Sequence, residues 1–301
     1  MIIDAHSHYM PPEVAQNTAF FKEYWSDVDA HLRVMDEHHV DKALLLYPNS
    51  DAHLNMGGWS KLCHVYNQRI AELLKAHQGR FIGAGILPID APQSIAKELI
   101  RIHDLGLKVL SLASSYEGKY LDDPIFCQVF EFAASHQMPV HVHPQILSPI
   151  GEERVKDPLL SPVFEYLFDV SISFGKMMMS GVFVKHPQVN FIFAHFGGVL
   201  PIVKERLDST YSMLRARGFV KDIGARPGEY LSRLYYDTSG CSSAGTLQAA
   251  LEMADEKHIL WGSDFPANRN LKDSLGVVSR YILSTQERNF LLGENFNSLF
   301  S

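Results

Sequence analysis

Eight short apolar runs recur along the chain, each followed by a longer amphipathic stretch, and this alternation limits the folds open to it. The runs are 2–8 (IIDAHSH), 41–47 (DKALLLY), 80–87 (RFIGAGIL), 107–112 (LKVLSL), 138–143 (MPVHVH), 189–195 (VNFIFAH), 233–239 (RLYYDTS) and 258–264 (HILWGSD). They read as continuous apolar stretches rather than strict alternation, which suits parallel strands covered on both faces. Helical patterns lie between them at 29–39, 60–77, 92–105, 124–136, 163–186, 200–216 and 244–256. Pro92 sits near the first turn of one helix and Gly106 follows its end, as helix boundaries favour. Eight strands alternating with helices is the arithmetic of a (β/α)8 TIM barrel, an α/β fold. A doubly wound open sheet is the rival, but no G-x-G-x-x-G follows the first strand.

A barrel of this kind accommodates all 301 residues as one domain, 1–301. Two connections exceed a minimal strand-to-helix loop: 9–28 after the first strand and 144–162 after the fifth, the second rich in Pro and Gly. Both are expected on the catalytic face, where they serve as lid or specificity elements.

The chemistry is written at the strand ends. His6 and His8 close the first run, His141 and His143 the fifth, His195 the sixth and Asp264 the eighth. In a barrel these ends converge on one mouth, within reach of one ion. His6 and His8 are two residues apart on a strand, so their side chains leave the same face. Two imidazoles with a third nitrogen or oxygen ligand leave a coordination position for water, as catalytic sites need. Taken singly, each residue has a bland reading. A lone His141 is a core histidine, and a lone Asp264 is a helix cap before Pro266. Caps and core histidines do not account for six such residues at the same end of four strands, and a metal centre is expected.

Composition removes other classes. With a net charge of −7, the chain gains nothing from attraction to nucleic acid or anionic membrane. Cys63, Cys127 and Cys241 are sparse and widely separated, with no C-x-x-C pair, which points away from a disulfide framework and from thiolate zinc sites. The N-terminal MIIDAHSHYMPPE lacks signal-peptide character, and no stretch approaches a membrane span. A soluble cytoplasmic protein is expected.

The motifs DAHSH at 4–8, PVHVHP at 139–144, FAHFGG at 193–198 and WGSDFP at 261–266 resemble those of the amidohydrolase superfamily. More narrowly, they resemble the branch around 2-amino-3-carboxymuconate-6-semialdehyde decarboxylase and γ-resorcylate decarboxylase. The likeness extends to YLDDPIFCQVFEFAASHQMPVHVHP at 120–144, SGVFVKHPQVNFIFAHFGGVLP at 180–201 and YYDTSG at 235–240. It implies one divalent metal, usually zinc, with manganese, iron or cobalt as alternatives, held by His6, His8, His143 and Asp264. It implies that His195 orients or deprotonates metal-bound water, and that Asp264 binds metal, shuttles the proton, or does both. Some relatives with two metals use a carbamylated lysine at the end of the fourth strand. Lys108 stands near the beginning of that strand, at the wrong end of the barrel, and a mononuclear site is expected.

The same resemblance places an arginine where Arg206 stands, reaching a substrate carboxylate across a homodimer interface; bidentate guanidinium–carboxylate pairing is the reason to want one there. The bland alternative is a surface arginine paired with Glu205 or Asp208. His31 and Arg33 occupy a segment where relatives carry carboxylate-binding arginines. His53 and Trp59, in the loop after the second strand, are candidate substrate-binding residues. Asp237, at the end of the seventh strand, is a candidate for fixing a histidine tautomer or for a structural role. His38 and His39 precede the second strand, at the bottom of the barrel. Met177, Met178 and Met179 read as packing.

Two reaction classes compete: non-oxidative decarboxylation of a small aromatic or unsaturated carboxylic acid, and metal-hydroxide hydrolysis or hydration of a lactone, amide or unsaturated dicarboxylate. Phosphodiester hydrolysis of the TatD or PHP type is a remote third, disfavoured by the HFGG and GSDFP motifs and the acidic balance. A barrel that binds metal only for stability is a fourth, and it predicts that His195 is dispensable.

Overall fold

The computed structural model describes residues 1–155, 157–282 and 284–300. Eight parallel strands form the sheet in chain order: β1 (Ile3–His8), β2 (Lys42–Leu46), β3 (Phe81–Gly85), β4 (Val109–Ala113), β5 (Val140–His143), β6 (Phe191–Phe193), β7 (Tyr235–Asp237) and β8 (Ile259–Leu260). The sheet closes on itself. The Ala5 amide donates to the Trp261 carbonyl at 2.8 Å, the Asp264 amide to the His6 carbonyl at 2.8 Å, and the His8 amide to the Phe265 carbonyl at 2.7 Å. With helices around it, this is the (β/α)8 barrel expected from the eight apolar runs.

The two faces of the strands enter different cores. Ala43, Leu45, Leu110, Leu112, Val140 and Val142 pack outward against the helices. A smaller cluster, including Ile3, Ala5, Leu44, Leu46, Val109 and Ile192, fills the lumen together with Phe296 and Leu299 of the C-terminal segment. The other end of the lumen is polar. Val140 and Val142 face the helices, so the period of two along β5 turns His141 and His143 inward.

β1 departs from that period. Asp4 is level with Ala43, but Ser7 is level with Leu45, so β1 carries one residue more than β2 across this span. The extra residue is a β-bulge. It lets Ala5 contribute to the lumen core while His6 and His8 also face inward.

Several expected boundaries shift. His195 does not end the sixth strand. β6 stops at Phe193, and His195 opens a short 3-10 turn, His195–Gly197, with φ of 52°. Nor does Asp264 end the eighth, because β8 stops at Leu260 and Asp264 lies in the following segment with φ of 64°. The expected helix 163–186 begins with a wide turn at Ser161–Glu165, continues as Tyr166–Ser180, and breaks at Gly181 before Val182–Lys185. Gly181 takes φ of 81°, a left-handed helix stop that a side chain would strain. A helix at Leu271–Tyr281, not expected from the sequence, follows the segment that carries Asp264. Asn270 caps it by accepting from the Asp273 amide, and it buries Leu271, Ser274, Val277 and Val278 on one face.

The insert 9–28 contains a short helix, Pro12–Ala15, and a turn at Glu23–Trp25. Of the insert 144–162, Lys156 lies outside the described residues. Lys108 is exposed just before β4, at the end of the barrel away from the histidines. Among the described residues no helix is long and apolar enough to cross a membrane, and Cys63, Cys127 and Cys241 are all unpaired.

Candidate metal centre

Three imidazoles and one carboxylate meet at the polar end of the lumen. His6 Nε2 is 3.0 Å from His8 Nε2. Asp264 Oδ1 lies 3.2 Å from His8 Nε2 and 3.5 Å from His6 Nε2. The His143 ring centroid is 5.2 Å from that of His6 and 4.9 Å from that of His8. Ligand-capable atoms of His6, His143 and His195 lie within 4.8 Å of one another, as do those of His6, His8 and Asp264.

The surrounding hydrogen bonds fix which ring nitrogen carries the proton. His6 Nδ1 donates to Asp237 Oδ2 at 2.9 Å. His8 Nδ1 donates to the Leu46 carbonyl at 3.3 Å. His143 Nδ1 lies 2.9 Å from the Pro144 carbonyl and 3.2 Å from Asn49 Nδ2, which itself donates to that carbonyl at 2.9 Å. The neutral His6 and His8 rings therefore turn a bare Nε2 inward. Lone pairs and a carboxylate crowded at these distances repel unless a cation lies among them. Nitrogen and oxygen donors oriented from behind in this way fit a divalent transition metal.

Electrostatics point the same way. Burial outweighs the neighbouring Asp237 carboxylate and brings His6 down to about 4. Burial and the neighbouring imidazoles hold His143 well below the usual histidine range. Burial alone would push the Asp264 carboxyl up, but the facing imidazoles of His6, His195 and His8 outweigh it and hold it low. All of these favour the deprotonated forms that bind metal.

Two carboxylates support the centre from behind. Asp4 Oδ1 accepts from the His6 amide at 3.0 Å and the Ser263 amide at 2.9 Å, tying β1 to the segment that carries Asp264. Burial raises Asp4 to about 7. Asp237 is fully buried, and its Oδ2 also accepts from His141 Nε2 at 2.9 Å. Burial opposes its charge, yet the His6 and His141 hydrogen bonds and charges hold it well below the ordinary carboxylate range. His141 thus stands behind the cluster, bonded to Asp237.

A cavity of about 630 Å³ opens beside His195 and Asp264. Leu167, Phe196 and Ile202 give it apolar walls, and Ser239, Ser243 and Thr246 give it a hydroxyl-bearing side. No Lys or Arg lines it among the described residues.

The remaining candidates lie elsewhere. Arg206 is exposed on the helix Leu200–Ala216 and makes no ion pair with Glu205 or Asp208 among the described residues. His53 and Trp59 stack with centroids 4.5 Å apart after β2 and do not line this cavity. His31 is buried against Phe81 and Phe265, and Arg33 is exposed. His38 and His39 fall just before β2, and Met177 and Met178 are buried while Met179 is partly exposed. Sequence reasoning did not single out Asn49, Ser239 or Trp25, whose ring lies 5.7 Å from that of His8. All three are in short polar or irregular segments without periodicity to mark them.

A family model described as Amidohydrolase matches residues 3–295. The chain belongs to the amidohydrolase family. Among curated relatives of this amidohydrolase, 2-amino-3-carboxymuconate-6-semialdehyde decarboxylase of Dictyostelium discoideum is 28% identical over 261 residues, covering 82% of this chain and 69% of that protein. Gamma-resorcylate decarboxylase of Rhizobium sp. is 27% identical over 283 residues, covering 86% of each. The fold matches 5-carboxyvanillate decarboxylase from Sphingomonas paucimobilis with a TM-score of 0.87 at 23% identity, covering 99% of this chain and 98% of that one. It also matches a dihydroxybenzoic acid decarboxylase from Polaromonas sp. JS666, solved with bound manganese and 2-nitroresorcinol, with a TM-score of 0.82 at 22% identity over 99% and 96% of the chains. The amidohydrolase is an enzyme of the metal-dependent carboxy-lyase or hydrolase type.

Proposed function

We propose that this amidohydrolase catalyses the non-oxidative decarboxylation of a small aromatic or unsaturated carboxylic acid. In this reading His6, His8, His143 and Asp264 hold one divalent cation, with zinc the first expectation and manganese the alternative suggested by the Polaromonas protein. The observation that carries it is the convergence of bare Nε2 atoms beside Asp264, at the edge of a cavity with apolar walls and hydroxyl groups. Bound there, the cation supplies Lewis-acid polarisation of a substrate oxygen.

The protein's own groups do the rest. Leu167 and Phe196 offer the substrate's ring an apolar wall. The bond from ring carbon to carboxylate breaks and its electron pair stays on the ring carbon. A proton forms the new C–H bond as CO₂ leaves, so no oxidant is needed. In this reading His195, on the cavity wall, relays that proton from solvent.

A second reading, hydrolysis or hydration, draws support from His195. Its ring lies 5.2 Å from that of His6, where a base would take a proton from water. Phosphodiester cleavage fits less well, because no Lys or Arg among the described residues lines the cavity.

A second copy of the chain belongs to this reading. Phe168, Ile172 and Ile202 are exposed on adjacent helices along grooves beside the cavity, and Arg206 stands exposed on one of those helices. An isologous dimer would cover that apolar face and bring Arg206 of one protomer toward its partner's substrate carboxylate.

Incubating the zinc- or manganese-loaded protein with panels of hydroxybenzoates, muconates, lactones and N-acyl compounds tests the reaction. Release of CO₂ that is abolished by chelation supports decarboxylation. Ring opening or amide cleavage without CO₂ supports hydrolysis instead.

A further inference from the structure

Ser239 connects the two halves of the site. Its amide donates to Asp237 Oδ1 at 3.1 Å, and its hydroxyl donates to the same oxygen. Its Oγ is also 2.8 Å from His195 Nδ1, and its carbonyl is 3.2 Å from that nitrogen. The His195 amide donates to Asp237 Oδ1 at 3.1 Å, pinning the left-handed backbone at His195.

The direction of each bond follows from the carboxylate. An ionised Asp237 only accepts, so the Ser239 hydroxyl proton goes to it. The lone pairs of Oγ are then left facing His195 Nδ1, and the Ser239 carbonyl is an acceptor in any case. Both oxygens ask Nδ1 for a proton. A ring bare at Nδ1 would set its lone pair against two acceptors.

We propose that Ser239 is a positioning residue that keeps the His195 proton on Nδ1 and presents a bare Nε2 to the cavity. Asp237 serves both halves: Oδ2 fixes the tautomer of His6, and Oδ1, through Ser239, fixes that of His195. In the neutral His195 ring, Nε2 is thus the atom that accepts a proton. The inference rests on the proposed role of His195 in moving a proton, but the tautomer itself is measured without turnover.

The test uses zinc-loaded protein with 15N-labelled histidine. Long-range 1H–15N spectra of wild type, with His195 assigned through His195→Gln, are expected to show a protonated Nδ1 and a bare Nε2. In Ser239→Ala, kcat is expected to fall about 10–100-fold with KM little changed, as when a group orienting an active-site histidine is removed. Ser239→Thr, which keeps the hydroxyl, is expected to restore kcat.

A His195 proton on Nε2 in wild type would overturn the proposal, and this outcome holds even if Ser239→Ala does not fold. A Ser239→Ala enzyme with wild-type kcat and KM would also overturn it. If no substrate in the panel is turned over, the proposed reaction fails, while the spectrum still decides the tautomer.

Discussion

Asp237 accepts from His6 Nδ1 at 2.9 Å, and this bond leaves His6 Nε2 facing His8 Nε2 at 3.0 Å. The carboxylate takes the Nδ1 side of His6, opposite the nitrogen that faces His8. It acts by deciding which nitrogen of His6 is free.

Asp237→Asn removes the charge and replaces one acceptor oxygen with an amide donor. An amide NH2 at the Oδ2 position costs both His6 and His141 their acceptor, and at the Oδ1 position it opposes the Ser239 amide and hydroxyl and the His195 amide, so either orientation disrupts the support of the site. Metal affinity, measured by competition with a chromophoric chelator, is expected to fall about 10–100-fold. Unchanged affinity would mean that His6 does not need this partner to bind metal.

His31 predicts a pH dependence of stability in the metal-free protein. Burial, with smaller contributions from His8 and Arg80, lowers it to about 3, against about 6.5 in an unfolded chain. The fold therefore holds the neutral ring, and between those values the unfolded chain binds more protons. Its contribution is fully present above about pH 6.5 and is lost as pH falls from there toward 3, at about 1.4 kcal/mol per pH unit. Asp4, raised to about 7, acts in the opposite sense: its contribution is lost as pH rises from about 4 to 7. Comparing wild type with His31→Leu cancels Asp4. Urea unfolding between pH 6.5 and 5 is expected to show a slope shallower by about one proton in the variant. Equal slopes would contradict a neutral buried His31.

The exposed apolar helices predict association. Ile202→Asp combined with Phe168→Asp places charges on the face assigned to the second copy. Sedimentation velocity is expected to find wild type as a dimer and the double variant as a folded monomer. A monomeric wild type at micromolar concentration would remove the second copy, and with it the role of Arg206 in a partner's site.

The barrel was legible because each strand is an apolar run bounded by polar residues, and closure needs eight of them. The clustering of the histidines was legible because an imidazole at the buried end of a greasy strand needs a partner, and several such ends at one mouth can share one. The β1 bulge was not. Nothing in IIDAHSH marks that Ala5 and His6 both turn inward, since the extra residue appears only in the pairing with β2. Asp264 was read as a strand end but lies four residues beyond β8, because its amide bonds to the His6 carbonyl across the barrel seam. Asn49 and Ser239 act through hydrogen bonds from loops, where no periodicity exposes a residue's role. The helix Leu271–Tyr281 does carry a signal in the sequence, an Asn cap followed by apolar residues at helical spacing.

The central claim is that one cation sits between His6, His8, His143 and Asp264. Crystals of the manganese-loaded protein, with data collected for anomalous scattering, test it most directly. The account predicts one strong anomalous peak per chain within about 2.0–2.3 Å of His6 Nε2, His8 Nε2, His143 Nε2 and an Asp264 oxygen. A peak elsewhere, or none at this position in protein that metal analysis finds loaded, would contradict it.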